Sequence, residues 1–358
     1  MSTSIKSVII ATGSFIPENI IPNSDFLENR FYEKNGEPIL RNNSEIIEKF
    51  QDITEIEERR YANKEHKASD LGYFAALDAI NSSEIDPESL DYIIVAHNFG
   101  DITAGSTRVD VLPTLGSRIK NKLGIQNPDC VAYDLPFGCP GWLQGMIQAD
   151  YFIRSGDAKR ILIIGTETLS RVTDPHDRDS MIFSDGAGAT ILEAKITDSE
   201  GIISHKTQTH TVSEVNYLFS GGSSNPDFIT EEQYIKMDGR KIYEYALKNV
   251  PLVIQQSLDK AKIDVRDVKK VLVHQANGKM DEAILKRLFK LNGITEAPTD
   301  VMPMTIASLG NSSVATVPTL LDLILKNKLG DHQINKGDIV VFTSVGAGMN
   351  INSMVYKF

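Results

Sequence analysis

The feature that most constrains this chain is that it is written twice. Ile85–Val95 reads IDPESLDYIIV and Ile263–Val273 reads IDVRDVKKVLV, 178 residues apart in a chain of 358. At the same offset, Ile161–Thr166 (ILIIGT) matches Ile339–Ser344 (IVVFTS). Each of that second pair follows a Gly-Asp dipeptide, Gly156-Asp157 or Gly337-Asp338, and leads into a polar, glycine-bearing turn. Two matches at one offset point to a duplicated supersecondary unit. Helix-like Ala75–Asn81 and Ile254–Lys260 precede the first pair, and the β-branched runs that close each match read as buried strands. Helices alternating with buried strands predict an α/β fold, with a mostly parallel central sheet in each half. The halves are placed at 1–195 and 196–358. Ser213–Asp227, rich in Asp, Ser and Gly, reads as a long surface loop in the second half.

Composition narrows the class. Apolar residues at 41% and charged residues at 24% are the balance of a soluble globular protein. No run approaches the roughly eighteen apolar residues of a membrane span, and the N-terminus MSTSIKSVIIATGSFIP lacks the order of a secretory signal. Two cysteines, Cys130 and Cys139, exclude a disulfide framework and a four-thiolate zinc site, and they point to a reducing, cytoplasmic setting. A net charge of −11 argues against bulk binding of nucleic acid or anionic membrane. An acidic partner would have to meet a local basic patch.

Three polar residues stand at positions where chemistry is often placed. Cys139 lies in Asp134-Leu-Pro-Phe-Gly-Cys-Pro-Gly-Trp142, between strand-like Cys130–Tyr133 and helix-like Trp142–Arg154. Pro140 suits a first helical turn. The thiol would then sit at the positive end of a helix dipole, which favours the thiolate. A buried, inert cysteine is the alternative, and it is the preferred reading for Cys130. His274, in Val-Leu-Val-His-Gln-Ala-Asn277, ends a buried strand, where α/β sheets present functional groups; a satisfied core histidine is the other reading. Asn277 either orients it or caps the helix Lys279–Leu291. Asn311, in Ser308-Leu-Gly-Asn-Ser-Ser-Val314, reads alone as a turn and N-cap. The duplication alters that weighting: Cys139 shifted by 178 lands on Val317, within a turn or so of Asn311. The two helix-entry loops are therefore equivalent and can face one site.

Taken together these segments resemble the thiolase-fold condensing enzymes, most closely the β-ketoacyl-acyl-carrier-protein synthase III family. The resemblance spans nearly the whole chain. It rests on Glu58-Arg59-Arg60, Ser69-Asp70, Asp174-Pro-His-Asp-Arg178, Phe183-Ser-Asp-Gly-Ala-Gly-Ala189, His274-Gln-Ala-Asn277, Gly310-Asn-Ser-Ser313 and Val345-Gly-Ala-Gly348. It implies an α/β, five-layered αβαβα fold of two pseudo-equivalent halves, usually a homodimer. It also implies a Cys139–His274–Asn311 triad. In that scheme the Cys139 thiolate takes an acyl group from a thioester. Decarboxylation of a malonyl thioester then supplies the carbanion that attacks it, while His274 and Asn311 hydrogen-bond the thioester oxygen. Backbone N–H groups of Cys139 and, by position, Ala347 would hold the tetrahedral oxyanion. No metal or organic cofactor is required. Arg178 matches a coenzyme-contacting arginine. Lys279 matches a residue that docks acyl carrier protein, Arg240 lies on a matching helix start, and Asn277 belongs to the shared motif.

The chain also departs from the family pattern. Lys49 and Ile53 occupy the places of a tryptophan and an arginine that sandwich the coenzyme A adenine. Phe137 and Pro140 flank the cysteine where small residues are usual, and Gly346-Ala-Gly-Met-Asn-Ile-Asn352 replaces a triple glycine with an aromatic continuation. An expanded loop runs between His97 and Val111. These differences suit an unusual or longer acyl donor. The first functional reading is therefore decarboxylative condensation in fatty-acid synthesis, with acyl-coenzyme A or acyl-carrier protein as donor. The second is a specialised ketosynthase joining an acyl chain to a β-ketoacyl thioester, towards resorcinol- or quinolone-like products. A thiolase would need a second cysteine in 345–352, and hydroxymethylglutaryl-type synthesis a glutamate between Glu88 and Cys139; both are lacking. A non-catalytic acyl-binding protein would be expected to lack a triad member. A papain-like hydrolase does not fit the duplicated α/β pattern.

Overall fold

The computed structural model describes residues 5–228 and 230–358, so the first four residues of the N-terminal reading lie outside it. The first half builds a five-stranded sheet from β1 (Ile5–Phe15), β2 (Tyr92–His97), β3 (Val131–Pro136), β4 (Arg160–Thr168) and β5 (Asp185–Ile196), in the order β1-β5-β4-β2-β3. The second half builds a four-stranded sheet from β6 (Gly201–Thr209), β7 (Val268–Val273), β8 (Ile339–Gly346) and β9 (Asn350–Lys357), in the order β6-β9-β8-β7. Strand by strand the orders correspond, and the second sheet stops one strand short. The repeated segments fall on β2 and β7 and on β4 and β8.

Only part of each sheet is parallel, which corrects the expectation of mostly parallel sheets. β4, β2 and β3 run parallel, as do β7 and β8, but β5 returns antiparallel between β1 and β4, and β9 between β6 and β8. The reason is local. After β8 the chain reverses within a few residues, too few for the crossover that a parallel partner needs.

The period-2 alternation of the strands sorts side chains into separate layers. In β4, Ile161 and Ile163 enter a central core while Leu162 and Ile164 face outward. In β8, Val340 and Phe342 enter the same central core while Val341 and Val345 face the other way. Six helices matter for the site: α1 (Asn43–Thr54), α2 (Ala68–Ser83), α3 (Leu115–Lys122), α4 (Gly141–Ser155), α5 (Gly239–Ala261) and α6 (Gly278–Leu291). A short turn α7 (Ile306–Leu309) leads on to α8 (Thr316–Leu325). Helices α2 and α3 cover the outside of the first sheet, α5 and α6 the outside of the second, and α4 and α8 fill the space between. This is the five-layered thiolase-type arrangement.

The halves are joined through that middle layer. Trp142 of α4 is 1% exposed and packs on Phe342 of β8, ring centroids 5.9 Å apart; truncating such a residue to alanine costs about 3–5 kcal/mol. Asp322 of α8 accepts hydrogen bonds from Thr12 (2.8 Å) and Ser14 (2.6 Å) of β1 and pairs with Lys326 at 2.8 Å, so this buried carboxylate is fully partnered. The region read as a surface loop is partly ordered into a strand, Leu218–Gly221, paired with Tyr234–Met237. Its alternation was hidden by the small residues at one end. Among the described residues, no helix is long and apolar enough to cross a membrane.

Candidate active site

Cys139 follows β3 through a two-residue turn, with only Pro140 between it and α4. Gly138 takes φ +71°, a left-handed conformation that side chains rarely adopt. Pro140 is the N-cap residue, and the helix runs from Gly141 to a left-handed stop at Gly156. The cysteine thus sits at the amino end of a fifteen-residue helix, as its sequence context suggested. Facing it is the turn after β8. A Cβ on Gly138 would lie 3.0 Å from the Ala347 nitrogen, and one on Gly346 only 2.7 Å from the Cys139 nitrogen. The two turns meet backbone to backbone, and the glycines at both contacts make that approach possible.

His274 comes directly after β7, with its backbone N–H donating to Thr343 O at 2.9 Å, so it extends the strand pairing with β8 by one step. The side chain is 2% exposed, its Nδ1 is buried without a partner among the described residues, and burial pushes its pKa down to about 4. The imidazole is therefore neutral at pH 7. Gln275 turns the other way and clamps the chain leading to Asn311: it donates to Pro303 O (3.0 Å) and accepts from Thr305 N (2.8 Å).

Asn311 is 3% exposed and is stitched into the first half, its N–H donating to Ile182 O and its carbonyl accepting from Ser184 N, both at 2.9 Å. Gly310 must be glycine here, because it holds φ +61° and a Cβ would meet that of Arg59 at 2.8 Å. The Asn311 side-chain oxygen accepts the Ser313 N–H at 2.8 Å. That bond fixes which way the amide points and leaves its NH₂ as the group available for other work. Ser313 Oγ in turn donates to Cys139 Sγ at 3.1 Å. Asn311 and Cys139 are thus linked through Ser313, while His274 follows β7 beside Thr343 of β8, the strand whose closing turn meets the Cys139 backbone.

One electrostatic expectation is reversed. The helix end was expected to depress the Cys139 thiol, yet enclosure of the sulfur pushes its pKa up to about 11, with the Ser313 hydrogen bond opposing and Glu167 adding to the rise. The residue as a whole keeps some exposure, but the sulfur is the enclosed part. Desolvation of a thiolate outweighs the partial charge of a helix end. Cys130 is buried and its thiol is raised by the same cause, which fits a packing role.

The remaining sequence candidates lie further out. Asn277 N-caps α6 through Oδ1, which accepts from Met280 N at 3.0 Å, and it makes no hydrogen bond to His274. Lys279, next along, is exposed. Arg240, at the start of α5, is exposed and paired with Glu244 at 3.0 Å. Arg178 borders an open cleft of about 370 Å³ beside Tyr32, Lys34, Asp177 and Asp179, where Glu33 binds its guanidinium twice, at 3.2 and 3.3 Å. Lys49 and Ile53 of α1 are exposed.

Sequence reasoning missed Asn98 and Glu167, which reach the cysteine through Ser313, and His97 next to them. Asn98, just past β2, donates from its backbone N–H to Glu167 Oε1 at 2.8 Å; its amide donates to the same oxygen and to Ser313 Oγ at 2.9 Å. Glu167 is 1% exposed, and burial raises its pKa to about 7. His97, one residue earlier, bonds Asp134 at 3.0 Å. The strand-end argument that singled out His274 applies equally to Glu167 at the end of β4.

Comparison with known proteins agrees with this fold. Residues 133–211 match the family model described as 3-oxoacyl-[acyl-carrier-protein (ACP)] synthase III, and residues 258–358 match its C-terminal counterpart. The chain is 31% identical over 355 residues to beta-ketoacyl-[acyl-carrier-protein] synthase III of Fusobacterium nucleatum, covering 97% of each chain. It is 28% identical to synthase III 1 of Halalkalibacterium halodurans, covering 99% of each. The crystal structure of the Thermus thermophilus synthase III superposes with a TM-score of 0.80 at 26% identity, over 98% of this chain and 99% of that one.

Proposed function

The chain belongs to the β-ketoacyl-acyl-carrier-protein synthase III family, and on that premise we propose that Cys139, His274 and Asn311 carry its reaction. The reaction is an acyl transfer, a decarboxylative Claisen condensation of fatty-acid biosynthesis. Cys139 Sγ attacks the donor thioester carbonyl; the new S–C bond forms, the donor C–S bond breaks, and the thiol proton leaves with the donor thiol. The malonyl thioester on acyl carrier protein then loses carbon dioxide. The electron pair of the broken C–C bond attacks the acyl-cysteine carbonyl and expels the Cys139 sulfur as a thiolate, which takes one proton from solvent to restore the thiol.

During decarboxylation negative charge builds on the malonyl thioester oxygen. At pH 7 the neutral His274 ring offers one N–H and the Asn311 amide its NH₂, and the amide never loses its donor to titration, so both can hydrogen-bond the developing oxyanion. The N–H groups of Cys139 and Ala347 are assigned to the oxyanion at the acyl-cysteine carbon. Each bond change balances without a metal or organic cofactor. The observation that carries the assignment is the Asn311 side-chain oxygen held by Ser313 N–H, which commits the amide's NH₂ to the site.

Outside the triad, we assign the 1–195 half the nucleophile and the 196–358 half the two donors. Arg240 and Lys279 are assigned to the carrier, an acidic protein that exposed cations would attract, Arg178 to the coenzyme of the donor, and Asn277 to the substrate side of the shared motif. A homodimer is supported by the exposed apolar Val109, Val111 and Leu112, the last 86% exposed, and by the open edge of β3. The low cysteine content supports a reducing, cytoplasmic setting. The specialised-ketosynthase reading draws support from Arg178 being occupied by Glu33 and from the exposed Lys49 and Ile53 where coenzyme A would need partners.

Intact-protein mass measurement after mixing with acyl-coenzyme A and acyl-carrier thioesters tests the assignment. An acyl adduct on Cys139 that is lost in Cys139→Ser supports it, and wild-type acylation in that variant removes Cys139 from the mechanism. Adducts from acetyl-coenzyme A support fatty-acid initiation. Adducts only from longer chains, or only from the carrier protein, support the specialised enzyme.

A further inference from the structure

We propose that Ser313, Asn98 and Glu167 form a hydrogen-bonded chain that sets how readily Cys139 ionises, with Ser313 the residue touching sulfur and Asn98 and Glu167 positioning it. The inference rests on Cys139 being the nucleophile.

The argument is one of donors and acceptors. The Asn98 amide nitrogen can only donate, and its two hydrogens go to Glu167 Oε1 and Ser313 Oγ. Ser313 Oγ therefore accepts at that contact, and its own hydrogen is left free to point at Cys139 Sγ, 3.1 Å away. A hydroxyl obliged to donate favours the thiolate over the thiol. Glu167 decides the orientation of Asn98, because Oε1 takes both the backbone and the side-chain N–H of that residue. Were the amide turned over, its oxygen would face a carboxylate and the Ser313 hydroxyl would be released to rotate.

The backbone supports the same reading. Ser313 is 2% exposed and holds φ +54°, a left-handed conformation that costs a non-glycine residue of order 1 kcal/mol or more. Its N–H is tied to Asn311 Oδ1. The strained turn thus places one residue's N–H on the triad asparagine and its hydroxyl on the triad cysteine.

Glu167 acts in two opposing ways. As an acceptor it orients the chain; as an anion it works against a second negative charge on sulfur. The charged and titratable groups around it are His97 from the end of β2, itself paired with Asp134 of β3, then Asp185 of β5 opposite Thr168, and Cys139 ahead of α4. An isosteric change of Glu167 to glutamine keeps the acceptor oxygen and removes the charge, so it separates the two effects.

The test is the rate at which iodoacetamide alkylates Cys139 in the full-length protein at about pH 8, read by intact mass, since that rate follows the thiolate fraction. Ser313→Ala is expected to slow alkylation about tenfold, the loss of one hydrogen bond to a charged group. Asn98→Ala should slow it in the same direction, and the double variant should be no slower than Ser313→Ala alone, because both changes break one chain. Glu167→Gln should accelerate it severalfold. Additive slowing in the double variant, a wild-type rate for Ser313→Ala, or slowing by Glu167→Gln would each overturn the proposal. Should Ser313→Ala fail to fold, the sign of the Glu167→Gln effect decides alone. Failure of the nucleophile assignment shows separately, as absence of an acyl adduct on the wild-type protein.

Discussion

Gly346 and Cys139 are in backbone contact: the first side-chain carbon of any other residue at 346 would stand 2.7 Å from the Cys139 nitrogen and 2.8 Å from its Cβ. Gly346 has φ −168°, an extended conformation open to every residue, so space alone and not backbone strain demands glycine there. Gly346→Ala is expected to displace the Cys139 turn. Acylation followed by intact mass should fall at least about tenfold, while thermal unfolding shows a loss of only about 1–3 kcal/mol, the usual cost of overpacking.

Glu33 occupies the Arg178 guanidinium at the cleft, and the pair is largely exposed. Exposed pairs contribute only about 0–1 kcal/mol, so releasing this one leaves stability unchanged. If Arg178 meets the phosphates of a coenzyme A donor, Glu33→Gln should lower KM for acyl-coenzyme A by about 2–5-fold at constant kcat. An unchanged KM would remove Arg178 from donor binding. Steady-state kinetics with acyl-coenzyme A measures this.

Burial pushes His274 down to about 4, so its protonation should leave the rate of carbon dioxide release without an inflection between about pH 6 and 8. The stability consequence has a definite sign. Between about pH 6.5 and 4 the unfolded chain takes up a proton on this histidine and the folded one does not, so folding weakens as pH falls through that window and the penalty is complete below it. His274→Gln should shrink the acid-side loss of thermal stability.

Glu167 behaves in the opposite sense. Its folded pKa, near 7, lies above the ordinary glutamate value, so folding is favoured at low pH and loses that contribution as pH rises from about 4.5 through 7. Glu167→Gln should therefore stabilise the protein at about pH 8 by roughly 1–3 kcal/mol and leave it unchanged at about pH 4. Thermal unfolding at the two pH values measures the difference.

Much of the fold was legible because it is periodic. Ile161–Ile164 and Val340–Val345 alternate between two cores, and their repetition at one offset announces two copies of one unit. The strand directions were not legible: apolar runs buried on both faces look alike whichever way they pair, and the glycine-bearing turn at 347–349 does not by itself say that the chain returns antiparallel. For the site, Cys139, His274 and Asn311 each stand at an element boundary that sequence can mark. Asn98, Glu167 and Ser313 matter through hydrogen bonds to one another across separations of 69 and 215 residues, which no local pattern encodes. The thiol's raised pKa was unreadable for the same reason, since enclosure of the sulfur is a tertiary property.

The most direct test of the central claim is a single turnover in two stages. The enzyme is first loaded with an acyl group, and carbon dioxide release from a malonyl thioester is then timed in the wild-type protein, His274→Ala and Asn311→Ala. The account predicts an acyl adduct on Cys139 in all three, rapid release and a β-ketoacyl product in the wild type, and release slowed about a hundredfold or more in each variant. Equal collapse of acylation in His274→Ala, or wild-type release rates in both variants, would contradict it.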